Sequence, residues 1–197
     1  MWIILGLLLI LLLPLLIAVR IYNQLVTLKA QFENGFAQIE VQLRRRHDLI
    51  PNLVETVKGY LRHEQSTLTA VIEARNAASA LLKSFKAHPA DSVSMAMLGQ
   101  AESRLGQALG GLSVQMEAYP ELRANENVQQ LFEELTATEN RVAFARQAFN
   151  DGVTAYNIYR KTFPTILIAS HLGHATDGAL LIIEDPQSYH QTPHVSL

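Results

Sequence analysis

Cysteine is missing from the 197-residue chain, which excludes disulfides, thiolate nucleophiles and Cys-ligated metal while leaving the compartment open. A basic excess is missing as well. Sixteen Lys and Arg stand against eighteen Asp and Glu, for a net charge of -2, so the clustered positive charge that phosphate binding needs is not there and nucleic acid is excluded as the main partner. What charge there is divides unevenly: residues 20–86 carry ten cations and six acids, and residues 87–197 carry six and twelve. Two halves of opposite sign pack favourably, although each screened surface pair contributes little.

Catalytic signatures are lacking too. A di-iron bundle needs Glu-x-x-His on facing helices, but the residues three before His47, His63 and His88 are Arg44, Tyr60 and Phe85. His63-Glu64 opens like a zinc-protease helix, and Thr67 stands where the second His belongs. Gly-rich phosphate loops, a Gly-x-Ser-x-Gly elbow and kinase signatures do not occur. His171, His174, His190 and His194 form a histidine-bearing tail without Cys or carboxylate partners at ligand spacing, which reads as solvated rather than metal-binding. No catalytic residue, metal or cofactor is expected.

What the chain does have is a long apolar run. Residues 2–19 contain no charge, about the length a helix needs to cross the hydrocarbon core. No Lys or Arg precedes the run, its length exceeds a signal-peptide core, and Leu16-Ile17-Ala18 imitates a cleavage site poorly, so the expectation is an uncleaved single-pass anchor over residues 1–20. Trp2 and Tyr22 suit its two interfaces, and Pro14 is tolerable inside it. Arg20 and Lys29 follow the run, which places the remaining domain in the cytoplasm by the positive-inside tendency.

Beyond the anchor the apolar positions keep helical rhythm. Ile21, Leu25, Leu28, Phe32, Phe36, Ile39 and Leu43 share one helix face. Arg44, Arg45 and Arg46 then suit a helix C-terminus, Asp48 an N-cap, and Pro51 a first turn, so residues 36–75 read as a helical hairpin. One long helix kinked at Pro51 is the alternative. A second stripe runs from Leu53 to Phe85 and stops at His88-Pro89. A third begins at Asp91 or Ser92 and runs through Leu98, Ala101, Leu105, Leu109, Leu112, Met116 and Tyr119, with Gly106, Gly110 and Gly111 marking a bend or a tight crossing. Pro120 closes it. Asn125 or Asn127 caps the fourth, in which Val128, Leu131, Leu135, Thr138, Val142, Ala145, Phe149, Gly152, Tyr156, Tyr159 and Phe163 alternate steps of three and four.

The expected fold class is therefore all-α: the transmembrane helix, then an up-and-down four-helix bundle over residues 21–164 (about 21–46, 51–87, 91–119 and 125–163), then a tail over residues 165–197 that is irregular with partial docking. Alternating direction puts residues 156–169 near the bilayer beside Tyr22 and Asn23, and the Arg44–Pro51 corner at the far tip. Two groups stand out as candidate sites. Arg44, Arg45, Arg46, His47 and Asp48 concentrate charge where an acidic protein surface, a second copy or phospholipid headgroups could bind, or where a solvated helix end simply matches its dipole. Tyr22, Asn23, Asn150, Tyr156 and Asn157 form a membrane-proximal network of aromatic-Asn pairs, which serve as buried hydrogen-bonding registry devices or as ligand groups.

The stretch Arg45-Arg46-His47-Asp48-Leu49-Ile50-Pro51-Asn52-Leu53-Val54, with Thr138-Glu139-Asn140 and Tyr156-Asn157, strongly resembles the LemA family of bacterial membrane-anchored proteins, from about Tyr22 to the C-terminus. The resemblance implies an N-terminal transmembrane helix, a four-helix bundle and a place in the bacterial cell membrane, and it supplies no enzymatic activity. Phe36 stands where the family usually has Trp. His174 stands where it usually has Phe, which argues against an apolar docking anchor there. Pro193-His194-Val195-Ser196-Leu197 keeps the family's Pro-x-Val-Ser-Phe ending with one change. The functional expectation is a noncatalytic membrane scaffold or adaptor that self-associates, with an unidentified protein partner as a further expectation. A membrane-attached sensor binding a small ligand or ion through Asn23, Asn150 and Asn157 is the alternative.

Overall fold

Pro51 does not break the first helix. The structure, a computed structural model, describes residues 2–84 and 91–184, with the backbone alone for residues 4–11 and Arg123. Its helices are α1 (Trp2–Lys58), α2 (Gln65–Ser84), α3 (Ser92–Glu117), the single turn α4 (Pro120–Arg123) and α5 (Glu126–Lys161), followed by a 3-10 turn at Thr165–Leu167. The expected division into helices 21–46 and 51–87 is thus corrected to one continuous α1. The bond that Pro51 forfeits is the one to the carbonyl of His47, four residues back, and that carbonyl instead accepts from Nε of Arg75, on α2, at 2.9 Å. The chain reverses at residues 59–64, with the amides of Tyr60 and Leu61 both bonded to the Val57 carbonyl at 3.0 Å and Leu61 buried beneath the turn. The tip lies about 18 Å past Arg46 at 1.5 Å per residue, so Arg44–Pro51 is mid-helix.

The remaining ends follow their capping residues. Asp91 accepts from the amides of Val93 and Ser94 at the start of α3, and Asn125 accepts from those of Asn127 and Val128 at the start of α5. Each such cap is worth about 1 kcal/mol. Hydrogen bonds from Ser94, its hydroxyl first, hold the Asp91 carboxyl below its ordinary value. α3 continues through Gly106, Gly110 and Gly111 without a break. Phe85, His88, Pro89, His190, His194 and the 193–197 ending lie outside the described residues.

The architecture is all-α: an apolar N-terminal helix long enough to cross a membrane, continuous with an up-and-down bundle in which α1 packs mainly on α5 and α2 mainly on α3. From Leu12 to Val19 the large apolar side chains of α1 are exposed, uncovered by the rest of the described chain. The α1–α5 pair is close. A Cβ on Gly35 would stand 3.3 Å from Cα of Phe149, and one on Gly152 would stand 3.2 Å from Cβ of Phe32, so facing positions are fixed as 35 with 149 and 32 with 152.

Helix length decides what covers what. Past Ile21, α1 rises about 57 Å and α5 about 54 Å, whereas α2 and α3 rise about 30 Å and 39 Å. α2 and α3 therefore complete the distal part of the bundle and reach the proximal part only at their adjoining ends, through Leu82, Met95 and Leu98. The tail covers the proximal part, with Ala169 and Leu181 buried in the same cluster as Ile21, Leu25, Phe32 and Phe149. A distal cluster holds Ile50, Leu53, Val57, Leu61, Leu105, Leu112 and Leu135. Between the two lies one polar level, built from Arg46, His47, Glu102 and Thr138, all buried.

Candidate functional site

Arg46 and His47 come from the α1 face that carries Leu43 and Ile50. Their burial is tolerable because α3 delivers a carboxylate to the same level. Glu102, fully buried, stands 2.8 Å from His47 Nε2 and 3.3 Å from an Arg46 guanidinium nitrogen, and Glu139 of α5 stands 3.4 Å from the other. With a carboxylate as acceptor, His47 donates from Nε2. The cluster joins α1, α3 and α5 at one height, as a buried polar layer does when it fixes register. The other members of the predicted charge cluster remain on the surface: Arg44 pairs with Glu40, Arg45 with Glu134, and Asp48 faces Arg75 at 3.8 Å. Arg46 and His47 are thereby removed from any contact surface.

The membrane-proximal residues gather differently from expectation. Asn150 and Asn157 lie two helical turns apart on α5, and both turn their amides to the tail. Asn157 Nδ2 donates to the Gly178 carbonyl at 3.0 Å while its Oδ1 accepts from the Gly178 amide at 2.8 Å. Asn150 repeats the pair with Leu181 at 3.1 and 2.9 Å. Seven helical residues rise about 10.5 Å, and three extended residues span about 10 Å, so the two spacings coincide. Each side chain takes the place of a neighbouring strand's peptide group. Arg160 binds the Ala175 carbonyl and Arg146 the Ile183 carbonyl, and Ser103 of α3 accepts from the Glu184 amide. Residues 175–184 thus form a strap across α5 and α3. Gly99 permits its approach, since a Cβ there would lie 2.0 Å from the Ile182 carbonyl oxygen.

A turn directs the strap inward. Gly173, at φ 84°, closes a Schellman-type end, with the His174 amide bonded to the Ala169 carbonyl and the Gly173 amide to that of Ser170. His174 is then buried, its Nδ1 3.0 Å from the Tyr156 hydroxyl and its ring edge-on to Tyr22. This corrects the reading of a solvated histidine tail: His174 is itself the docking anchor, while His171 is exposed. Burial first, then Lys29, pulls the His174 imidazole below its ordinary value, and burial pushes the Tyr156 hydroxyl up. At neutral pH a neutral imidazole and a neutral phenol therefore share one hydrogen bond. Asn23 is exposed. A ligand using Asn150 and Asn157 has to displace the strap.

Sequence reasoning missed Glu102, Ser103, Arg160 and the strap itself, and it missed two surface features. Phe144 is 73% and Ile182 68% exposed, flanking a concavity of about 490 Å³ lined also by Ala143, Gln147, Leu181 and Ile183. An open cleft of about 870 Å³ lies between α1 and α2 near the distal turn, lined by Pro51, Val54, Leu68 and Ile72 among others, and its Lys58 and Glu55 face each other at 3.7 Å.

Comparison with known proteins gives one family and a small set of relatives. The model described as the LemA family matches residues 35–197. The chain is 25% identical to the Magnetosome protein MamQ of Magnetospirillum gryphiswaldense, over 77% of this chain and 61% of that one. It is 24% identical to Protein LemA of Metamycoplasma hominis, over 76% and 64%, and 26% identical to Magnetosome protein MamQ 2 of Paramagnetospirillum magneticum, over 73% and 58%. The matched region spans about three fifths of the length of these relatives.

Proposed function

The chain belongs to the LemA family, and from that premise we propose that it is a noncatalytic helical scaffold or adaptor. The first part of α1 holds it to a bacterial membrane, the bundle lies on the cytoplasmic side, and copies associate through the side of the bundle. The observation that carries this reading is the apolar surface at Phe144 and Ile182, two large side chains standing in solvent beside a concavity. Apolar surface of that kind on a folded domain marks a contact site. Arg44, Arg45 and Asp48 supply exposed polar groups at the neighbouring level of the bundle. The polar side chains of the interior support a structural role, because Arg46, His47 and Glu102 are spent on one another, and Asn150 and Asn157 on the strap.

The test is a photo-cross-linking residue at position 144 in the full-length chain, reconstituted in lipid bilayers, with native mass measured in parallel. Adducts between copies are expected. A buried Phe side chain is worth roughly 1.5–3 kcal/mol, so Phe144→Asp should weaken association by about tenfold or more. Monomer alone at every concentration, with no adduct, overturns self-association.

A further inference from the structure

The turn that ends α5 is apolar and uncovered at the level where α1 leaves its apolar run. Phe163 is 76% exposed, Ile166 54% and Leu167 62%, although Thr165 and Ala169 between and after them are buried. The turn is therefore anchored by its small residues and presents its large ones outward. Its height follows from the α1–α5 register. Position 152 faces 32 and position 149 faces 35, so on this antiparallel pair Lys161, the last residue of α5, comes level with Asn23, and the turn that carries Phe163, Ile166 and Leu167 follows directly. That is the boundary between the uncharged run of residues 2–19 and the bundle. Tyr22 stands exposed at the same height, as amphipathic aromatics do at a membrane surface. Lys161, just before the turn, is exposed and pairs with Asp177.

We propose that Phe163, Ile166 and Leu167 insert into the interfacial layer of the same bilayer that α1 crosses, as a second lipid contact that fixes the tilt of the bundle. The occupant is lipid rather than a second copy because the patch stands at the end of the bundle where α1 runs on into its exposed apolar surface at Leu16, Ile17 and Val19. A single helix crossing leaves its attached domain free to lean. A second contact placed beside it removes that freedom. The proposal rests on membrane crossing by α1 and goes beyond it.

The absence of cysteine makes the test clean. Single cysteines at positions 12, 163, 166, 167 and 62 in the full-length chain carry a spin label, position 62 being exposed on the distal turn, and collisions with oxygen and with a water-soluble nickel chelate are compared in lipid nanodiscs. The expected result is oxygen-dominated collision at 12, 163, 166 and 167 and nickel-dominated collision at 62. Immersion at 12 with nickel-dominated collision at 163, 166 and 167 overturns the lipid contact while leaving the anchor intact. Shielding of 163, 166 and 167 from both reagents means that protein covers the turn, and overturns it as well. Nickel-dominated collision at 12 removes the anchor and the contact together.

Discussion

Glu102 answers two neighbouring groups of α1 at once, and it does so without exposure to water. Removing one partner of such a buried cluster leaves the other uncompensated, at a cost of about 3–5 kcal/mol. Glu102→Leu should therefore destabilise the solubilised chain by that amount in chemical denaturation. Arg45→Ala, which releases only an exposed pair with Glu134, should cost under about 1 kcal/mol. The burial of Arg46 was legible in the spacing. Leu43, Arg46, Ile50 and Leu53 step by three, four and three, and Leu98, Glu102, Leu105 and Leu109 by four, three and four, so both charged residues stand on apolar stripes. Three consecutive arginines hid this, because a charged residue reads as solvent-facing until its partner is known. That partner lies 55 residues away from His47, and no local pattern names it.

At the scale of elements, the apolar stripes and caps were readable because they depend on local geometry: Asp91 and Asn125 sit where the helix rhythm begins. The Pro51 break was misread because its compensation, Arg75, belongs to another helix. The strap was half legible. The heptad interval of Asn150 and Asn157 announced a repeated acceptor and donor pair, but the segment that receives it has no periodicity of its own.

The strap also carries a pH dependence. Burial and the Lys29 charge depress the folded-state value of His174, so its contribution to docking is fully present above the unfolded value of about 6.5 and is lost as pH falls through the lower folded value. Hydrogen exchange at the amides of Gly178 and Leu181, corrected for intrinsic rates, should show protection that declines below about pH 6.5. His174→Phe, the residue the family pattern carries there, should keep the strap docked and flatten that dependence.

Taken whole, the molecule is a long two-helix spine, α1 with α5, clothed differently at its two ends. α2 and α3 cover the distal end and reach the proximal cluster at Leu82, Met95 and Leu98, extended chain covers the rest of it, and a charged level lies between the two clusters. Fold class followed from hydropathy and period alone, since a bundle is the simplest way to bury four stripes joined by short turns. The division of the core did not, because it depends on helix lengths and on where Glu102 meets Arg46. Orientation is tested at this scale too. Arg62→Cys places a lone thiol on the exposed distal turn, and with the bundle in the cytoplasm a membrane-impermeant maleimide should label it in intact cells only after permeabilisation. Labelling without permeabilisation places the bundle outside. The strap has one last consequence, for the order of manufacture. Every described helix precedes it in the chain, so while the protein is being synthesised the seam of Phe32, Phe149 and Val153 lies open until residues 175–184 emerge. Of the two described core clusters, the one next to the apolar run of α1 is the last to close.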